Sequence, residues 1–198
     1  MLQRAPTRSW SIRSCFRVSL RGLMALVLVL GGGYGWVVHR AQEQRDAVAA
    51  IKAAGGDVVY DWQRKLMDFR REPGPWAPKW LVDRIGVDYF GNVVEVFLVG
   101  PRIQGAEEAL AYVEHLRSLE ALWLAPPTMT DAGLAHLDCL TNLKVMSISL
   151  CDARITNTGL AHLKGLASIE NLTLTGTSVT NAGVSELQKS LPRTRIVR

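Results

Sequence analysis

Three stretches of the sequence repeat a set of residues that could do chemistry: "TDAGLAHL" from Thr130, "TNTGLAHL" from Thr156 and "TNAGVSEL" from Thr180. A hydroxyl, a glycine and, in the first two, an imidazole at fixed spacing fit a loop that cradles a ligand, a metal pair or a catalytic histidine. The threonines stand just before helix-like runs, where the side-chain oxygen can accept an orphan N–H of the first turn. Gly133, Gly159 and Gly183 fall inside that first turn and suit close packing. A phosphate site would need clustered glycines and a basic partner, and neither is present. His136 and His162 occupy equivalent positions and would lie about 5 Å apart on neighbouring units, close enough to share a metal. Asp138 is near, but no Asp, Glu or Cys recurs with them, and His115 is out of register, its equivalent being Cys139. Surface histidines are therefore expected, with no metal site and no catalytic residue.

The three cysteines give no better site. Cys15 lies in a basic leader, where lipidation would be possible. Cys139 precedes and Cys151 follows one short strand, so about 20 Å of extended chain separates them, beyond disulfide reach. Cys151 reads as a small corner-filling hydrophobe.

A second chemical possibility lies upstream. "ALVLVLGGGYGW", a helix-like "AQEQRDAVAAIKAAGG" and "DVVYD" imitate a dinucleotide-binding strand–helix–strand unit running from Gly31 to Asp61. Gly31 and Gly33 match its first two glycines, and Asp61 matches the ribose-binding acid. Trp36 occupies the third glycine position, where close helix–strand packing has no room for an indole. No cofactor is expected.

The elements that would position these residues begin with charge. The chain has 198 residues and a formal charge of +5. Arg4, Arg8, Arg13, Arg17 and Arg21 precede any acid, and the remaining 18 basic residues are matched by 18 acidic ones. Apart from a short basic C-terminus there is no basic face for phosphates, which argues against nucleic-acid binding. After the leader (1–21), the uncharged run 22–38 would span about 26 Å as a helix, enough for a transmembrane segment if Arg21 snorkels. The arginines predict a signal anchor with the N-terminus cytoplasmic and the remainder extracytoplasmic. A cleaved signal peptide is the rival. Gly31 and Gly35 form a small-xxx-small pair that allows weak self-association of the span. Residues 39–90 form a linker and cap: a helix over 41–54 stopped by Gly55–Gly56, a strand at 58–60, a proline-rich loop at 71–80 and a short helix at 80–84.

From about residue 91 the chain is periodic. Leu119-x-x-Leu122-x-Leu124 recurs as Leu143-x-x-Met146-x-Ile148 and Ile169-x-x-Leu172-x-Leu174, and Val93-x-x-Val96-x-Leu98 has the same shape. The offsets are 26, 24 and 26 residues. Alternation within each motif is strand-like, and the stretch after each threonine is helix-like. The pattern resembles the leucine-rich repeat family, over roughly half the chain. The copy containing Cys151 resembles its cysteine-containing subtype, and the basic leader with its anchor resembles the membrane-anchored bacterial members. Pro127 departs from the family's corner position, which Cys151 and Thr177 fill in the later copies. The resemblance implies an α/β fold: a short solenoid of strand–helix repeats, atypical at both ends as caps are, preceded by a membrane-anchor helix.

In such a solenoid one strand face is open. Its residues would be Glu95, Phe97 and Val99; Ala121, Trp123 and Ala125; Val145, Ser147 and Ser149; Asn171, Thr173 and Thr175. Phe97 and Trp123 would be neighbours, two aromatics on the face that repeat scaffolds use for binding, unless segment 58–90 covers them. The candidate binding residues are Phe97, Trp123, Glu95, Val145, Ser147, Asn171 and Thr173. The function expected is a non-enzymatic, membrane-anchored interaction scaffold with a protein partner. The alternatives are a dinucleotide-dependent enzyme using 31–61 and a purely structural envelope component.

Overall fold

The computed structural model describes residues 20–64, 74–126, 129–149 and 155–198. The chain divides into two compact units, Met1–Val37 and Val38–Arg198. In the first, the described residues belong to helix α1 (Leu20–Ala53). Among the described residues no helix is long and apolar enough to cross a membrane. Where its side chains are described, α1 runs through Gly31, Gly32, Gly33 and Gly35 and turns polar from His39 onward. This corrects the expected transmembrane span over 22–38. With it go the signal anchor, the single-pass topology, the extracytoplasmic placement and self-association through Gly31 and Gly35.

The second unit begins on the C-terminal half of α1. Ala41, Gln44, Ala47, Val48, Ile51 and Ala54 are buried, three or four residues apart and so on one face of the helix. The helix stops at the predicted glycines. Gly55 takes φ +88°, and the Gly56 N–H donates to the Ile51 carbonyl at 2.9 Å. A Cβ on Gly56 would lie 2.7 Å from the Phe97 carbonyl and from the Leu98 side chain, so this close approach to the sheet requires glycine.

After the reversal, β1 (Asp57–Tyr60) pairs antiparallel with β2 (Val93–Val99), setting Asp57 opposite Phe97 and Val59 opposite Glu95. Between them lie α2 (Asp61–Arg64), α3 (Lys79–Ile85) and a 3-10 turn, Val87–Tyr89. Then β3 (Ala121–Ala125), β4 (Val145–Ser149), β5 (Asn171–Thr175) and β6 (Arg195–Val197) add in sequence order, each parallel to the one before. Helices α4 (Ala106–Val113), α5 (Asp131–Ala135), α6 (Asn157–His162) and α7 (Asn181–Ser190) connect them. The result is an α/β fold on one mixed six-stranded sheet. It corrects the expected leucine-rich-repeat solenoid behind an anchor helix. The glycine reversal adds an antiparallel strand that no repeat supplies, and the connecting helices run from 5 to 10 residues, unlike one another in length.

One face of the sheet is the core. Val96, Leu122, Met146 and Leu172 form one row across the parallel strands and Leu98, Leu124, Ile148 and Leu174 the next; all are buried. The leucines of the connecting helices (Leu110, Leu134, Leu160 and Leu187) close over them. Removing one such side chain to alanine typically costs 2–5 kcal/mol. This packing fixes which residues stand on the opposite face.

Candidate functional site

Because side chains alternate along a strand, burying Leu122 and Leu124 turns Trp123 outward, and the same holds in each neighbour. Strand register then sets one row of Asp57, Phe97, Trp123, Ser147, Thr173 and Val197. Behind it runs Val59, Glu95, Ala121, Val145, Asn171 and Arg195. All seven residues expected on this face lie in these two rows. Phe97 and Trp123 are half-buried and stack with ring centroids 4.3 Å apart and planes 1° from parallel. Paired positions on neighbouring strands are about 4.8 Å apart, so the two rings reach contact without leaving the rise of the sheet. Beyond Trp123 the row continues with Ser147 and Thr173, side chains too short to form a third layer. The aromatic pair thus stands as a step above a polar shelf.

The charges of this face are arranged around Arg64. Its guanidinium donates to Glu120 Oε2 at 2.7 Å and lies 3.9 Å from Glu95. Lys144 Nζ meets the same Glu120 oxygen at 3.3 Å. The Arg64 hydrogen bond, with Lys144 adding to it and partial burial opposing, holds the Glu120 carboxyl below the ordinary glutamate range.

The repeated threonines keep the expected capping role in two of the three motifs and also link neighbouring helices. Thr156 and Thr180 do cap: their hydroxyls accept from Thr158 N–H and Gly183 N–H, each at 3.2 Å. Thr130 does not cap; its hydroxyl and its N–H both donate to Glu107 Oε1, at 2.6 and 2.7 Å. The same link recurs in the next two units. Asp131 accepts from the Thr156 N–H and hydroxyl at 2.8 and 2.6 Å. Asn157 accepts from the Thr180 N–H at 3.0 Å and donates to its hydroxyl at 2.9 Å. A polar side chain at the head of each helix therefore ties down the threonine of the next. The glycines make room for it. A Cβ on Gly159 would strike the Asp131 carboxylate, and one on Gly183 the Asn157 amide. The Asp or Asn after each threonine was the visible signal for this ladder.

The remaining sequence candidates separate. His162 Nδ1 lies 3.7 Å from Asp138 on the surface, and among the described residues no three His, Cys, Asp or Glu side chains converge on a metal-sized site. Cys139 is exposed with a free thiol; Cys15, Cys151 and Pro127 lie outside the described residues. Thr177 offers its hydroxyl to the Leu174 carbonyl at 3.5 Å. Gly31 and Gly33 lie within helix α1, so no strand-to-glycine turn exists there. The dinucleotide reading of 31–61 expects such a turn.

Sequence reasoning missed one site. A cavity of about 350 Å³ opens where the chain leads into β2, β3 and β4. Asn92, Ser118 and Asn142 line it, together with Asp61, Glu120, Lys144 and the single apolar Val94. The signal was periodic: a small polar residue stands two places before Val94, Glu120 and Lys144 in turn.

No protein-family model matches the sequence, and no curated protein matches it. Among solved structures the chain is similar to one in the "Structure of Chaetomium Mex67:Mtr2 subunits". The identity is 19% over 46% of this chain and 68% of that one, with a TM-score of 0.37. That likeness is too slight to bear on fold or function. The leucine-rich-repeat resemblance thus rests on the spacing of this chain's own residues.

Proposed function

We propose that the chain is a non-enzymatic binding module that engages a protein partner through the outward face of its sheet, with Phe97 and Trp123 as the anchor. The observation that carries this reading is the parallel 4.3 Å stack of the two rings, standing beside the short side chains of Ser147 and Thr173. Large, pre-positioned aromatics dominate the energetics of protein interfaces because they bury much area while losing little rotamer freedom. Stacking on Phe97 already restrains Trp123, so binding orders little that is free beforehand.

The test is a photo-crosslinking residue placed at Ser147 in the full-length chain, with one at the exposed Glu170 as control. A partner captured from Ser147 alone should bind Trp123→Ala at least about tenfold more weakly, the loss expected of an interface hot spot. Equal crosslinking from both positions, or unchanged affinity in Trp123→Ala, would overturn the proposal.

A further inference from the structure

The cavity before β2, β3 and β4 adjoins the outward face through Glu120 and Lys144, but neither Phe97 nor Trp123 lines it. Its walls are held from behind. Arg40 donates to Asn92 Oδ1 at 3.0 Å and to Ser118 Oγ at 3.1 Å, which fixes both side chains across two loops. Asn142 Nδ2 is held by the Arg117 carbonyl at 2.8 Å, and Asp61 Oδ1 by the Trp62 N–H at 2.9 Å. Glu120 Oε2 is shared by Arg64 and Lys144. Each of these groups keeps hydrogen-bonding capacity beyond these contacts. Asp61 keeps Oδ2, Glu120 keeps Oε1 and Asn142 keeps Oδ1 as acceptors. Asn92 keeps its amide, Ser118 its O–H and Lys144 two ammonium hydrogens as donors.

The charges narrow the ligand class. Asp61 and Glu120 are offset by Lys144 and the adjoining Arg64, and Lys144 and Glu120 are paired with each other at 3.3 Å. A free anion would meet a Lys144 charge already offset by Glu120, and a cation would meet a Glu120 charge already offset by two bases. What remains is a small, nearly uncharged basin with donors and acceptors interspersed. A ligand matching it must donate and accept at several neighbouring points without net charge, which is what vicinal hydroxyl groups do. We infer that this cavity binds a small neutral polyol, a mono- or disaccharide. Its volume lies at the small end of ligand pockets, about 300–1,000 Å³.

The experiment is NMR titration of the full-length protein with glucose, N-acetylglucosamine and maltose, with zwitterionic glycine and anionic inorganic phosphate as controls. A saturable shift of the Asn92 and Asn142 side-chain amides with at least one sugar, and none with the controls, is the expected result. Asp61→Asn keeps an acceptor for Trp62 N–H, and Lys144→Gln leaves Glu120 with Arg64; each should weaken sugar binding about tenfold or more, the scale of a lost hydrogen bond to a charged group. Ser118→Ala is the second variant should either fail to fold, as read from its thermal melt. Trp123→Ala should bind sugar as the parent does, which separates this site from the protein-binding face. No saturable shift with any of the sugars, binding of glycine or phosphate instead, or variants that bind sugar unchanged would overturn the inference.

Discussion

Gly159 and Gly183 show how much a single hydrogen atom decides in this fold. Helix propensity alone says that alanine at either position should stabilise its helix by about 1 kcal/mol. The ladder predicts the opposite. The new methyl of Gly159→Ala would displace the Asp131 carboxylate from the Thr156 N–H and hydroxyl, and overpacking with lost hydrogen bonds costs about 1–3 kcal/mol. At Gly133 the closest atom to a new Cβ is Glu107 Cγ at 3.4 Å, so Gly133→Ala should be neutral or mildly stabilising. Urea denaturation of the two variants side by side checks the contrast. The glycine spacing was legible in the sequence, but its reason was not, because the Asp131–Thr156 bond joins residues in different repeats. Glu120 supplies a prediction of another kind. Its carboxyl is held below the ordinary glutamate range first by Arg64 and then by Lys144. A folded-state value below the unfolded one adds stability above the unfolded value, and this is lost as pH falls through the folded one. Thermal melts should therefore show Glu120→Gln less stable than the parent at neutral pH and the gap closing in acid.

At the scale of elements, the strands β2 to β5 were readable because apolar alternation at 24- or 26-residue offsets has one physical meaning, a row of side chains facing one core. The end of α1 was readable for a local reason, two glycines after an amphipathic run. The start of α1 was not: the glycines of 31–35 read as a span or a nucleotide turn and instead lie within one helix of 34 residues. Equally hidden was what joins α1 to the sheet. Gln44, buried in the helix, donates to the Gly91 carbonyl at 2.9 Å and to Asp88 Oδ1 at 3.2 Å, and accepts from the Val93 N–H at 3.4 Å. Tyr60 donates to the same Asp88 oxygen at 2.9 Å, and burial, with the Asp88 charge and hydrogen bond, raises its phenol well above the ordinary range. Amphipathic periodicity cannot show this, since it marks Gln44 as polar and therefore as exposed. Gln44→Leu fills similar space but strands the Gly91 carbonyl and the Val93 N–H. It should cost about 1–3 kcal/mol for each group left unsatisfied. Amide hydrogen exchange should locate the loss, with the β1–β2 pair deprotected ahead of β4 and β5.

At the scale of the whole molecule, the sheet separates two jobs. Its helix side holds leucines that could not be exchanged without loss, and its outward side holds residues that the core does not constrain. Alternation made the composition of that outward face readable and pointed to Phe97 and Trp123, but alternation marks only which side of the sheet a residue faces and carries no information about a ligand. The division of the chain into Met1–Val37 and Val38–Arg198 gives the last prediction. The core of the second unit begins at Ala41 and takes in Ala47, Val48 and Ile51, while nothing before Val38 belongs to that unit. A chain starting at Val38 should therefore unfold cooperatively with a midpoint close to that of the full-length protein, although it loses five arginines and with them the formal positive charge. A chain starting at Gly55 should not. Removing Ile51 alone is worth about 2–5 kcal/mol by analogy with truncation to alanine. Gln44 and Val48 go with it, against a total stability of about 5–15 kcal/mol for a domain. Calorimetry of the two truncations decides the matter: a near-native melt for the longer form and a broad or absent one for the shorter are expected. Loss of cooperative unfolding in the longer form would mean that residues before Val38 carry part of the fold.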